Sequence, residues 1–487
     1  MLSLRKILFY CFIAVYLFFC PVLILYALGY IFSPVEGQGI VKSGLVYLST
    51  TPPGATVYLG NRKYTNKTPA AIQNLIPGDY PVRISLKKHQ SWSEIIPVEA
   101  GKATVLERIL LLPDQFKTQV FVPNETFQEL TPVPGTRYFL LSKGQTAQDL
   151  YLYDSKSEDL RAIFPPYVFP DSSQLGFYFE DKSPDFVVSL SSEQGERFLW
   201  VSPRRREIRT KDITSLLSGK PEHIHWEAKD RNFLLVFQDG YLDLIDVVNK
   251  ASQNRFALNI RGFGLFENKI CMLSQDFNLE WMSYQGEREK ILFDNSVSGE
   301  KLFGNMFYQI KMFPGDVTVF LGDDGRLVTN RFPYRLVDEG VLGLQFDEKQ
   351  KRLLIWTEEA IGMIDFSKSK SGRELSDSTA KLVWLYQKGR RIEQAFWLYD
   401  GSHVIFRDRS KIYLLELETY AKPHLHEVLE VKENSSIDYS EQTGYLHYLE
   451  PKKGQLYRLE LVPRYEILPL PFPERKEEKK KLEFGTL

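Results

Sequence analysis

The sequence predicts an all-β protein tethered by one helix: an N-terminal transmembrane segment, a small β-sandwich, then a seven- or eight-bladed β-propeller. Three observations predict it. No charged residue lies between Ile7 and Phe32. Short apolar or alternating runs, broken by Gly, Pro, Asn and Asp turns, fill the rest of the chain. A strand–turn phrase recurs eight times between residues 138 and 459, about every 35–50 residues, a spacing that suits a four-stranded blade.

The N-terminus sets the compartment. Residues 1–6 carry Arg5 and Lys6 and are expected in the cytoplasm. Residues 7–32 are long enough to cross the roughly 30 Å hydrocarbon layer, which takes about 20 helical residues. A cleaved signal peptide would have a shorter apolar core and a small-x-small site, and two Phe before Cys20 fit a lipoprotein signal poorly. The segment therefore reads as an uncleaved signal-anchor, with the bulk of the chain outside. Residues 33–43 read as a linker.

Residues 44–113 form a ladder of short strands and corners. Leu45–Ser49 and Thr56–Leu59 are β-rich, Pro52-Pro53-Gly54-Ala55 turns between them, and Pro77-Gly78-Asp79 turns again. Tyr80, Val82, Ile84 and Leu86 alternate with Pro81, Arg83, Ser85 and Lys87, which predicts one buried and one solvated face. The ordered set Ser49-Thr50-Thr51-Pro52-Pro53-Gly54-Ala55-Thr56-Val57-Tyr58-Leu59, Lys67-Thr68-Pro69, Leu75-Ile76-Pro77-Gly78-Asp79-Tyr80, Val82-Arg83-Ile84 and Trp92 resembles the PEGA domain. The name-giving Pro-Glu-Gly-Ala reads Pro-Pro-Gly-Ala here. Gly60-Asn61 inverts the usual order, and Lys88-His89 stand where the family commonly has Gly-Tyr. The resemblance implies a surface β-sandwich found in anchored and S-layer-like proteins, and no catalytic residues.

Residues 114–134 read as a linker or a first outer strand, and residues 135–465 as the propeller. Its copies begin with Tyr138–Leu141 and Leu150–Asp154 and end with Tyr445–Tyr448 and Gln455–Leu459. A single copy would leave its sheet edges open and its faces unburied; radial stacking solves both. Two stacked β-sandwiches are the competing reading. Residues 466–487 read as a charged, solvated tail.

Composition narrows the function. Lys plus Arg number 61 against 62 Asp plus Glu, a net charge of -1, which excludes a nucleic-acid binder working by bulk positive charge. Cys11, Cys20 and Cys271 are too few for a disulfide framework or a Cys-based zinc site. His223-Ile224-His225 places two imidazoles on one strand face, as metal ligands sometimes are, but no third ligand of matching spacing accompanies them. His424-Leu425-His426 reads the same way. Arg204-Arg205-Arg206 reads as a solvated loop before it reads as an anion site. Asp323-Asp324-Gly325 lacks the rest of a calcium loop and reads as a hairpin turn. Asn66, Asn124 and Asn434 head glycosylation triplets. No nucleophile elbow, P-loop or His-Glu-x-x-His occurs.

No residue is assigned to catalysis, cofactor or metal, and no cofactor is expected. The reading is a single-pass membrane protein of a prokaryote that binds or scaffolds cell-envelope components, protein or glycan. An envelope hydrolase with paired carboxylates in the propeller funnel and a surface-layer component are the alternatives.

Overall fold

The computed structural model describes residues 2–32, 39–165, 174–193, 195–205, 207–227, 232–266, 269–293, 302–313, 317–329, 335–367, 382–417 and 424–463. The chain divides into two compact units, one containing residues 1–115 and the other Phe116–Glu460.

The helix runs Leu2–Ala27, earlier at both ends than the apolar stretch of the sequence. It stops because Gly29 takes φ +83°, a left-handed conformation open to glycine. Residues Tyr30–Phe32 then pair antiparallel with Ile40–Lys42, so part of the expected linker over 33–43 is strand. Leu8–Ala27 is the one described segment long and apolar enough to cross a membrane.

The module that follows is a sandwich of two sheets. Gly44–Thr51 sits between Ala70–Leu75, antiparallel, and Ala103–Leu110, parallel. The other sheet orders Arg62–Lys67, Thr56–Leu59, Gly78–Ser85 and Trp92–Val98. Val46, Leu48, Val57, Val82, Ile84, Trp92 and Ile96 fill the space between them. The alternation expected from Tyr80 to Leu86 holds, with Val82 and Ile84 buried and Arg83 exposed.

The Thr-Pro and Pro-Pro-Gly-Ala segments are tied together by one buried network. The Thr50 hydroxyl donates to the Pro52 carbonyl at 2.6 Å, and the Ala55 N–H donates to Thr68 Oγ1 at 3.0 Å. The contact between the two hydroxyls, 2.6 Å, then has Thr68 as donor. Lys88, where the family commonly has Gly, takes φ +64°.

The second unit contains, among the described residues, eight four-stranded antiparallel groups, one for each copy of the sequence phrase. We number them one to eight in chain order. Sheet one is Glu129–Pro132, Tyr138–Ser142, Leu150–Asp154 and Asp159–Ala162. Sheets two and three begin with Gln174–Phe179 and His223–Trp226, and sheets four and five with Ile260–Phe266 and Tyr308–Phe313. Sheets six, seven and eight begin with Val341–Asp347, Ile392–Leu398 and Asp438–Ser440. Among the described residues, no sheet closes on itself.

Each sheet buries its face against the next. Val187, Phe198 and Trp200 of sheet two meet Ile224, Trp226 and Leu234 of sheet three. Val317 and Val319 of sheet five meet Leu353 and Ile355 of sheet six. Between sheets seven and eight, Ile437 N–H donates to Gln394 Oε1 at 2.8 Å and Gln394 Nε2 donates back to the Ile437 carbonyl at 3.2 Å. The last sheet returns to the first: Leu449 and Leu456 share a cluster with Phe127, Leu130, Phe139 and Tyr153. A sheet covered on both sides buries consecutive residues, which explains the unbroken buried runs Leu234–Gln238 and His403–Asp408, polar members included.

Residues 114–134, expected as a linker, hold two strands. Thr118–Val120 pairs with Leu456–Glu460 and becomes the outer strand of sheet eight, as the alternative reading of this stretch allows. Glu129–Pro132 opens sheet one. Three and four residues are too short to show a period, so only their partners define them.

Sheets four and five are fused by a parallel pairing of Gly262 with Tyr308 and Phe263 with Gln309, which makes one eight-stranded sheet. Any Cβ on Gly262 or Gly264 would strike the carbonyls of Tyr308 and Ile310. Two glycines two residues apart clear one strand face, and backbone meets backbone there. The charged tail expected over 466–487 lies outside the described residues.

Candidate functional site

His223 and His225 share one face of the first strand of sheet three, while Ile224 and Trp226 point into the core. The register that buries Trp226, whose Nε1–H donates to Ser183 Oγ at 2.9 Å, forces both imidazoles the other way. They line a cavity of about 250 Å³ with Phe177, Phe179, Gln309 and Asp323.

Each imidazole is held by a carboxylate from another sheet. His223 Nε2 lies 3.0 Å from Asp323 Oδ2 in the turn of sheet five, and its ring stacks on Phe307 with centroids 3.9 Å apart. His225 Nδ1 lies 2.9 Å from Glu180 Oε2, which follows the first strand of sheet two, and its ring meets Phe263 edge-on at 5.2 Å. Sheets two, three, four and five therefore converge on one His-x-His strand. The sequence identifies the pair of histidines; their carboxylate partners, 45 and 100 positions away, have no local signal. Among the described residues, no group of three His, Cys, Asp or Glu is placed to hold a metal ion.

The other candidates disperse. Asp323-Asp324-Gly325 forms the expected turn: Gly325 has φ +82° and its N–H donates to the Gly322 carbonyl at 2.8 Å. Asp324 Oδ1 accepts the Arg326 N–H at 2.9 Å. Arg204 and Arg205 are exposed, and Arg206 lies outside the described residues. Asn66, Asn124 and Asn434 are all exposed.

His424 and His426 belong to a second cluster in sheet seven. His424 Nδ1 lies 3.3 Å from Glu416 Oε2, and the two histidine rings stand 6.4 Å apart. Sequence reasoning missed its buried member, His403, which is 2% exposed. Ser402 directs its hydroxyl to the Tyr399 carbonyl at 2.7 Å, so the His403 Nδ1–H donates to Ser402 Oγ at 2.8 Å. Burial pushes His403 down to about 4, against the opposing pull of Glu416. Burial likewise lowers His426. In the same sheet Arg407, buried against Glu393, is pushed down to about 10, again by burial.

Helix, sandwich and the eight sheets together define an all-β protein with one apolar N-terminal helix. Residues 43–110 match the PEGA domain, the family that the corner motifs resemble. No curated protein matches the chain. Among solved structures it is similar to the Cps50 (Swd1) β-propeller domain of Myceliophteria thermophila, at 10% identity and a TM-score of 0.42. That match covers 71% of this chain and 99% of the other. It is also similar to the Dos1 propeller, at 13% identity and a TM-score of 0.44, covering 72% of this chain and 95% of that one.

Proposed function

We propose that this chain is a membrane-anchored scaffold outside the cytoplasm of a prokaryotic cell. The helix spans the bilayer, the PEGA module follows it in the chain, and the unit of eight sheets presents its loops to an envelope protein or glycan. It binds without transforming its partner. The observation that carries the reading is the convergence of sheets two to five on His223 and His225. Both imidazoles there are oriented by carboxylates of the chain itself, so the cavity offers a fixed polar surface.

Fractionation and capture test it together. The protein is expected in the membrane pellet, released by detergent and degraded by protease added to intact cells. Immobilised full-length protein is expected to retain an envelope component, and the His223→Ala/His225→Ala double variant to retain less of it. Recovery from the cytosol without detergent would defeat the anchor. Turnover on a glycosidase or peptidase panel, abolished by Glu180→Gln, would replace the scaffold with the hydrolase reading.

A further inference from the structure

The hairpin that follows the helix carries an apolar face with no partner among the described residues. Phe32 is 76% exposed and Ile40 59% exposed. They are opposite each other in the pairing, as are Tyr30 and Lys42, so all four share one face. Soluble surfaces scatter single apolar residues, but a cross-strand Phe–Ile pair beside Tyr and Lys matches the chemistry of the bilayer interface. Aromatic rings and lysines sit there at headgroup depth.

Position along the chain fixes the depth. Leu8–Ala27 has 20 residues. At about 1.5 Å per residue that equals the roughly 30 Å of hydrocarbon. Only Leu28 and Gly29 separate the helix from Tyr30, and the Ser43 N–H donates to the Gly29 carbonyl at 2.7 Å. The hairpin is thus stapled to the helix end at both of its own ends. Beside it, Lys42, Asn74, Gly101 and Lys102 line a recess of about 330 Å³. A Cβ on Gly101 would fall 2.7 Å from Lys42 Cδ, so the Lys42 stem lies along the recess wall. Lys102 is paired with Glu99, and the exposed Lys42 carries its ammonium over the same glycine at the recess.

We infer that the Tyr30–Phe32/Ile40–Lys42 hairpin lies in the headgroup layer, with Phe32 and Ile40 inserted and Lys42 set against an anionic lipid phosphate. The inference rests on the reading that the helix spans. Its consequence is a module whose attitude to the membrane is fixed by a second contact in addition to the tether.

The test uses the full chain in vesicles of phosphatidylcholine and phosphatidylglycerol, with Phe32→Trp and Leu17→Trp compared with the parent. Phe32→Trp is expected to add emission that is quenched by lipids brominated near the glycerol end and shielded from aqueous acrylamide. Leu17→Trp is expected to add emission quenched by bromines near the chain ends. Deep quenching of Leu17→Trp together with acrylamide access to Phe32→Trp would overturn the inference and leave the spanning helix intact. Quenching of neither would remove the spanning helix and the inference with it. In Phe32→Trp, brominated phosphatidylglycerol should quench more than brominated phosphatidylcholine at equal fraction, and Lys42→Glu should abolish the difference. Equal quenching before that substitution would overturn the role of Lys42.

Discussion

The Leu130 N–H donates to Ser435 Oγ at 3.2 Å across 305 positions of sequence, and the Ser436 N–H donates back to the Leu130 carbonyl at 3.0 Å. This exchange joins the first strand of sheet one to the loop before sheet eight.

Ser435→Ala leaves the Leu130 N–H, in a buried setting, without that acceptor. A buried donor left unpaired costs about 1–3 kcal/mol. Denaturant unfolding of the full chain in detergent is expected to show a lower midpoint with unchanged slope. A midpoint equal to the parent's would mean that closure does not depend on this contact.

Thr68→Val keeps the shape of the buried corner and removes its hydroxyl. The Ala55 N–H loses its acceptor and Thr50 Oγ1 the donor it accepts from, while its own bond to the Pro52 carbonyl stays, and a loss of about 2 kcal/mol is expected. Limited proteolysis should then cut within residues 44–113 while the ring stays intact. Cleavage rates equal to the parent's would show that the corner is held by packing alone.

Gly264→Ala tests the fused seam. The added methyl meets the Ile310 carbonyl, a backbone atom that cannot rotate away. The strand must move off Tyr308–Phe313, and a cost of about 1–3 kcal/mol is expected by analogy with overpacked cores. Amide exchange at Gln309 and Ile310 should accelerate; slow exchange there in the variant would contradict the parallel pairing as the element holding the seam.

The His403 ring gives stability an acid limb. Its folded-state value of about 4 lies below the unfolded value of about 6.5. Above about pH 6.5 the ring is neutral in both states and the full stability is present. As pH falls toward 4 the unfolded chain takes up a proton that the folded chain refuses, and stability drops, by roughly 3 kcal/mol at most. His426 is shifted the same way and steepens the fall. Glu416 and His424 face the same space, so the comparison is between the parent and His403→Gln measured across this window. A parent profile no steeper than the variant's would remove His403 as the source.

The fold was readable to different depths in different places. Turn chemistry announces itself locally, so Pro52-Pro53-Gly54-Ala55 and Pro77-Gly78-Asp79 marked the sandwich, and all eight copies of the strand phrase land on sheets. Pairing between distant strands leaves no such mark. Thr118-Gln119-Val120 is three unremarkable residues until Leu459, Arg458 and Tyr457 lie opposite them. The candidate site divides likewise. Strand alternation put His223 and His225 on one face, but Glu180 and Asp323 are brought to them by the stacking of sheets. His403 was passed over because a lone histidine in an apolar run carries no period of its own.

Because Thr118–Val120 waits for Leu456–Glu460, the piece of the ring made first by the ribosome finds its mate only when nearly the whole chain has emerged. Until then every nascent intermediate leaves Thr118–Val120 without its mate and the face of sheet one that meets Leu449 and Leu456 uncovered. Such a chain gains from a holdase during synthesis, and a premature stop anywhere before residue 456 would yield a product unable to finish assembly, and so prone to join its neighbours edge to edge.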